Sequence, residues 1–130
     1  VKDSKIKKIV ANDISPAVMK FVQKKFKKHA QVSFLQGDVL KIRPQRTFDT
    51  VICLHTLEHI VDLEKLAKLL VQLARQRIII VTPNEKAHAY PPNYHVHFFH
   101  PGNLPTRLFP NRQNHLIIID GDYVLISDKA

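Results

Sequence analysis

Phe48-Asp49-Thr50-Val51-Ile52-Cys53-Leu54-His55-Thr56-Leu57-Glu58-His59-Ile60-Val61-Asp62 decides how the rest of this chain is read. Its apolar run, Val51 to Leu54, is short and rich in β-branched residues, and reads as a strand buried on both faces. With no Gly or Pro between, the run passes into His55, Thr56, Glu58 and His59. A buried strand that delivers polar side chains at its carboxyl end is where open α/β sheets hold ligands.

Upstream, Ile6 to Ala11 reads as a strand that ends at Asn12-Asp13. Ser15-Pro16 starts a helix, with Ser as N-cap and Pro at the first helical position. Val18, Phe21, Val22 and Phe26 give that helix an apolar stripe, and His29-Ala30 closes it. Gln31 to Gln36 is a second strand, stopped by Gly37-Asp38 and connected through Arg43-Pro44 to the third, Thr50 to Leu54. Downstream, Asp62 caps a helix with Leu63, Leu66, Leu69, Leu70 and Leu73 on one side. Arg77 to Thr82 is a fourth strand, followed by a polar loop over Glu85 to Pro92. His95 to His100 is short and aromatic, and Pro101 to Phe109 has room for one or two helical turns. His115 to Ile119 and Tyr123 to Ser127 flank Asp120-Gly121-Asp122, a hairpin signal. Strands alternating with helices and then a hairpin mean an α/β fold: a mostly parallel sheet with an antiparallel edge. The expectation is one domain over 1–130.

With 130 residues and 45% apolar content, the chain has enough material for a core of its own. No apolar run approaches the ~20 residues a membrane helix needs. The lone cysteine, Cys53, sits in the apolar run and reads as an inert core thiol, which suits a reducing cytoplasm. Twenty Lys plus Arg against eleven Asp plus Glu give a formal charge of +9, with nine lysines before residue 29. That bias suits a nucleic acid or another polyanion. A solvated helix face is the plainer reading, because no aromatic residues interleave to form a stacking platform.

Asp13 follows a strand and precedes an N-cap, where a nucleotide-binding βαβ sheet places the carboxylate that accepts two ribose hydroxyls. The competing reading is a second helix-capping carboxylate. Gly37-Asp38-Val39 repeats the pattern one strand over. There a carboxylate can take a base's exocyclic amine while the next backbone N–H meets a ring nitrogen, although Gly-Asp is more often just a turn.

Ile9 to Pro16, Phe34 to Val39, Phe48 to Cys53, Leu57 to Ile60 with Asp62, Thr82-Pro83-Asn84, and His95 to Phe99 followed by Pro101 are similar, in order, to successive motifs of class I S-adenosylmethionine-dependent methyltransferases of the type 11 or 23 kind. The resemblance implies a Rossmann-like fold and methyl transfer to an acceptor it does not name. It implies that Asp13 and the adjoining Ile14 meet the cofactor's ribose, that Asp38 and Val39 contact its adenine, and that the backbone around Leu54 and His55 lies near its methionine part. His59 and His95 are the candidates for a catalytic base.

One part of that family's pattern is missing. Its glycine-rich cofactor loop follows a first strand, and the three glycines here, Gly37, Gly102 and Gly121, lie elsewhere. In the family that strand sits mid-sheet, between those matching Ile6 to Ala11 and Thr50 to Leu54. Without it, backbone groups on two buried edges lack partners. The expectation is an N-terminally truncated methyltransferase domain, with weak or absent cofactor binding if the chain is whole. One alternative is that the two neighbouring strands close up directly, and another is that a second chain, as in a homo-oligomer, supplies the strand. A third is an inactive remnant that binds a protein or nucleic-acid partner.

His55-Thr56-Leu57-Glu58-His59 also spells H-x-x-E-H, an inverted zinc-protease pattern, but it follows straight from a strand rather than lying on a helix. A milder metal reading has Glu58 and His59 converge with His95, His97 or His100, because both stretches follow strand ends on one side of the sheet. Methyltransferases that modify the 2′-hydroxyl of small RNAs resemble this in binding a divalent metal through Glu-x-x-Glu-His, whose first Glu is His55 here. The plainer reading is that His59 packs and the later histidines decorate a substrate loop. His29, His88 and His115 read as surface residues. Tyr90, Tyr94, Phe98 and Phe99 read as core packing before acceptor pocket.

Overall fold

The computed structural model describes residues 6–42, 46–87 and 94–130, so the expectations for His88, Tyr90 and the Arg43-Pro44 connection lie outside the described residues. The chain divides into two compact units, 1–43 and 44–130.

In the first unit β1 (Ile9–Asp13) and β2 (Val32–Gln36) pair in parallel, with Ile9 opposite Val32 and Asp13 opposite Gln36. β1 begins three residues later than the sequence suggests and carries on to Asp13. Between the strands runs α1 (Pro16–Lys25), started as expected: the Ser15 hydroxyl accepts the Val18 N–H, and Pro16 holds the first position. It stops at Lys25, short of His29, where Phe26 closes the last turn by donating to the Val22 carbonyl. The expected stripe is corrected as well. α1 packs on both strands, yet its buried residue is Met19 at 2% exposure, whereas Phe21 is 65% exposed. Two strands are too narrow a floor to cover a stripe four residues long.

In the second unit four strands, β3 (Phe48–Leu54), β4 (Ala74–Pro83), β5 (Arg112–Ile119) and β6 (Asp122–Lys129), lie in the order β3-β4-β6-β5. β3 and β4 are parallel, and β6 runs antiparallel to both β4 and β5. The antiparallel edge is thus the expected hairpin, extended at both ends. Its two-residue turn puts Asp120 and Gly121 at φ of 51° and 91°, the double positive φ that Asp-Gly satisfies at little cost. Preceding β4 is α2 (Leu63–Leu73), capped by Asp62, whose carboxylate accepts the Lys65 N–H. No loop separates them: Ala74 both caps α2 and opens β4.

One face of this sheet carries Cys53, Ile78, Ile80, Thr82, Tyr123, Leu125 and Ser127, all buried. α2 lies over it with Leu63, Leu66, Ala67, Leu70 and Leu73, joined by Phe99, Phe109 and a 3-10 turn at Pro105–Leu108. The other face differs from the expected burial of β3 on both sides. Ile52 and Leu54 are each 58% exposed, and the register sets them beside Ile79 and Val81, which are half-buried. Strand geometry sends alternate side chains to opposite faces, and α2 covers only one. Among the described residues β1 is hydrogen-bonded to β2 alone and β3 to β4 alone.

These two environments predict different mutational costs. Ile80→Ala, at a position with no exposure, should cost ~2–5 kcal/mol in a denaturant melt. Ile52→Ala on the opposite face should cost less than ~1 kcal/mol. An Ile52 variant as costly as the Ile80 one would show that the second face is covered.

Candidate functional site

In the first unit the two candidate carboxylates stand at the same end of the parallel pair. Asp13 is the last residue of β1, and its Oδ1 accepts the Ser15 N–H at 2.7 Å. Its main-chain oxygen accepts the Gly37 N–H at 3.0 Å. The Asn12 amide donates to the carbonyls of Leu35 and Gly37, tying the two strand exits together. Asp38 Oδ1 accepts the Leu40 N–H at 2.9 Å, and Lys41 Nζ lies 3.6 Å from its other oxygen. Both carboxylates therefore hold local turns, which is the plainer reading of Asp38, whereas Asp13 takes the N–H of the N-cap residue itself and not one inside the helix. Gly37 sits at φ +135°, a conformation that favours glycine, and a Cβ there would stand 3.2 Å from Ile42 Cδ1, close enough that the Ile42 side chain would have to shift slightly. Ile14 is exposed and Val39 half-buried beside them.

In the second unit the polar exit of β3 is built as a tight reversal. Leu54 is exposed, and His55 follows at φ +42° with its N–H donated to the Val81 carbonyl at 2.8 Å. A single 3-10 turn, Leu57–His59, then sends Glu58 inward, where it is 1% exposed. Glu58 Oε2 accepts the Thr82 hydroxyl at 3.1 Å. Its Oε1 lies 3.4 Å from His55 Nδ1 and has no hydrogen bond among the described residues. The other nitrogen of the His55 ring is 3.2 Å from Asp122 Oδ2, in the hairpin.

The segment after residue 93 docks on this turn. The Glu58 carbonyl accepts the N–H groups of both Val96 and His97, at 2.8 and 3.1 Å. His59 Nδ1 lies 3.4 Å from the Tyr94 carbonyl, and His97 Nε2 lies 3.2 Å from the Val61 carbonyl. His95 Nδ1 is hydrogen-bonded to Glu85 Oε1, and the His59 and His95 rings meet edge to face with centroids 4.7 Å apart. Glu58, His59 and His95 thus offer ligand atoms that all lie within 4.8 Å of one another.

Of the three later histidines weighed from the sequence, His95 is the one that joins Glu58 and His59. His97 is turned to Val61, and His100 Nδ1 accepts the Gly102 N–H. The protease spelling fails on geometry. Only Leu57–His59 form a 3-10 turn, residues 55 and 56 lie outside it, and His55 pairs with Asp122 instead of joining His59 on one face of an α-helix. Sequence reasoning missed Thr82, Glu85 and Asp122. Only Thr82 carried a signal, as the one polar residue closing the run Ile78 to Val81.

Cys53 is buried beneath the turn, and burial pushes its thiol up to about 11 from 9.0, with Glu58 adding to the rise and a hydrogen bond with Thr56 opposing it. Cys53 in the folded chain then carries roughly a hundredfold less thiolate at pH 8 than an ordinary thiol. It should therefore react with a disulfide reagent only after denaturation. The associated stability is fully present below pH 9 and falls as pH rises towards about 11, since there the unfolded chain releases a proton that the folded chain keeps. The neighbouring Thr82 can be tested in the same melts. Thr82→Val, nearly isosteric, leaves the Glu58 carboxylate a donor short and should cost ~1–3 kcal/mol by thermal or chemical melt.

A profile of the family described as methyltransferase domain matches residues 2–81. Comparison with curated protein sequences returns no match. Among solved structures, magnesium protoporphyrin IX methyltransferase from Synechocystis PCC 6803 with bound SAH superposes with a TM-score of 0.72 at 16% identity, over 95% of this chain and 64% of that one. The N-methyltransferase NodS from Bradyrhizobium japonicum WM9 gives a TM-score of 0.72 at 12% identity, over 95% of this chain and 75% of that one. The CurJ carbon methyltransferase gives 0.75 at 10%, over 95% and 42%. The chain thus spans less than two thirds of the length of the first of these, and at such identities the likeness speaks for a shared Rossmann-like fold. The family profile, which covers more than half of the sequence, goes further: this chain belongs to the methyltransferase domain family.

Proposed function

We propose that the chain is an S-adenosylmethionine-dependent methyltransferase domain of the cytoplasm, acting on an acceptor with a nucleophilic atom. The family match over residues 2–81 carries this reading. The strand ends support it: Asp13 and Asp38 close two paired strands on the same side, with a glycine in the left-handed region between them. We assign Asp13 and Ile14 to the ribose, Asp38 and Val39 to the adenine, and the backbone of Leu54 and His55 to the methionine part.

When bound, S-adenosylmethionine supplies a methyl group on a positively charged sulfur. The acceptor's lone pair forms the new bond to that carbon as the carbon–sulfur bond breaks, and the pair from the broken bond stays on sulfur. Catalysis of this kind rests on holding the two reactants in line, with a base needed only where the acceptor atom carries a proton. His59, exposed at the mouth of the turn, and His95 behind it are the imidazoles we place beside that atom.

Asp13→Asn separates the two roles of Asp13. The amide oxygen still accepts the Ser15 N–H, so the turn survives, but the charge that strengthens hydrogen bonds to ribose hydroxyls is gone. Calorimetric titration with S-adenosylmethionine should show saturable binding that is weak in this 130-residue chain, which has no glycine-rich loop, and that falls at least a further ~10-fold in Asp13→Asn. No saturable binding by the unaltered chain, or equal affinity in the variant, overturns the assignment.

A further inference from the structure

We propose that α1 docks the chain on an anionic lipid surface. Val18 and Phe21 enter the membrane interface, and Lys20, Lys24, Lys25, Lys27 and Lys28 meet the headgroup phosphates and carboxylates. Of the formal +9, residues 1–43 carry +8, eleven Lys and Arg against three Asp, and residues 44–130 carry the remaining +1. From Ile14 to Gly37 there is no acidic residue at all. A solvated helix face ordinarily mixes both signs, so that charges one turn apart pair. Here all five lysines are exposed, and none makes an ion pair among the described residues. The carboxylates described in this unit, Asp13 and Asp38, are engaged at the strand ends, and the ion pair formed there belongs to Lys41.

The apolar residues of α1 divide between two sides. Met19 is buried on the strands and Val22 half-buried beside it. Val18 and Phe21, three residues apart and so adjacent on the helix surface, are 43% and 65% exposed. Ala17, one turn before Phe21, is exposed with them. Phe26, the next ring along, is half-buried and has Lys25 Nζ 5.8 Å from its centroid. Two outward apolar residues alone need no explanation. Ringed by five cations and no anion, they have the composition of a helix that lies in a lipid interface. α1 has ten residues, a length of about 15 Å, against a hydrocarbon core of ~30 Å, so it lies along the interface and does not cross it. Lysine stems run along the apolar strip while their ammonium groups stay with the headgroups.

The same residues favour lipid over nucleic acid. Bases stack on aromatic platforms, and α1 offers one well-exposed ring with an aliphatic neighbour, which gains by leaving water but cannot stack. Every Lys or Arg position from 6 to 42 holds lysine. There is no guanidinium among them to fork onto a phosphate or a base edge. Lysine is a point charge, sufficient for fluid headgroups, and a cluster of this size on an amphipathic helix suits the anionic cytoplasmic leaflet. This docking stands apart from the methyl-transfer reading.

The test is co-sedimentation of the full chain with unilamellar vesicles at ~0.1 M salt, where charge is only partly screened. Saturable binding is expected on phosphatidylcholine vesicles containing phosphatidylserine, and at least ~10-fold weaker binding on phosphatidylcholine alone. Phe21→Ser should weaken binding at least ~5-fold, and Lys24→Gln with Lys25→Gln at least ~10-fold. Val71→Ser, at an exposed apolar position of α2, should leave it unchanged. The chain has no tryptophan, so Phe21→Trp adds a single reporter. Its emission should move to shorter wavelength on the mixed vesicles and be quenched by brominated acyl chains. The substituted side chains are all exposed, and circular dichroism confirms the fold of each variant. Equal binding to both kinds of vesicle, no loss in Phe21→Ser, or an unmoved tryptophan emission overturns the proposal. A chain that ignores the vesicles but binds single-stranded RNA through the same lysines overturns lipid as the occupant.

Discussion

Much of the second unit depends on one buried residue. Glu58 is 1% exposed: its Oε2 accepts from Thr82 on β4, its Oε1 lies 3.4 Å from His55 Nδ1, and its main-chain oxygen accepts two N–H groups of the 94–97 segment. A carboxylate so placed is tolerated only when its surroundings supply donors or positive charge. The exit of β3, the end of β4 and the segment after residue 93 are therefore drawn to one point. Apolar packing by α2 does not explain that convergence, because hydrophobic burial is non-directional and holds the sheet without fixing where its loops go.

What could be read from the sequence was what is determined locally. Ser15-Pro16 and Asp62 mark helix starts because a cap acts within three residues, and Asp120-Gly121 marks the hairpin because two positive φ values are met by adjacent residues. The cluster was legible only in part. Glu58 and His59 stood out as polar residues at a strand exit, but choosing His95 over His97 and His100 depends on the hydrogen bonds to the Glu58 carbonyl, which fix the phase of the later segment. Glu85 and Asp122 were out of reach for the same reason. Asp122 meets His55 because β6 inserts between β4 and β5, and nothing in a hairpin sequence says which of its strands lies inside.

The misread burials share a physical origin. Val51 to Leu54 and the stripe from Val18 to Phe26 are apolar enough for burial on every side, yet Ile52, Leu54, Val18 and Phe21 are exposed. Hydropathy reports what a residue would gain by burial, not whether an element lies opposite to provide it. Next to exposed Ile52 and Leu54, half-buried Ile79 and Val81 continue the same apolar face across the register, so it is a property of the sheet and not of single residues.

The backbone at His55 links these observations. A non-glycine residue at φ +42° costs roughly 1–2 kcal/mol. A regular strand would carry the chain straight past the sheet edge. The left-handed residue reverses it, so that three residues later Glu58 turns inward and His59 outward. Several interactions offset the cost: the N–H bond to Val81, the ring between Glu58 and Asp122, and the Thr56 hydroxyl on the Leu54 carbonyl. Glycine would make the same reversal at lower conformational cost but would lose both carboxylate contacts. The strain thus sits where the chain passes from scaffold to site, and it is held by the same two strands, β4 and β6, that form the middle of the sheet.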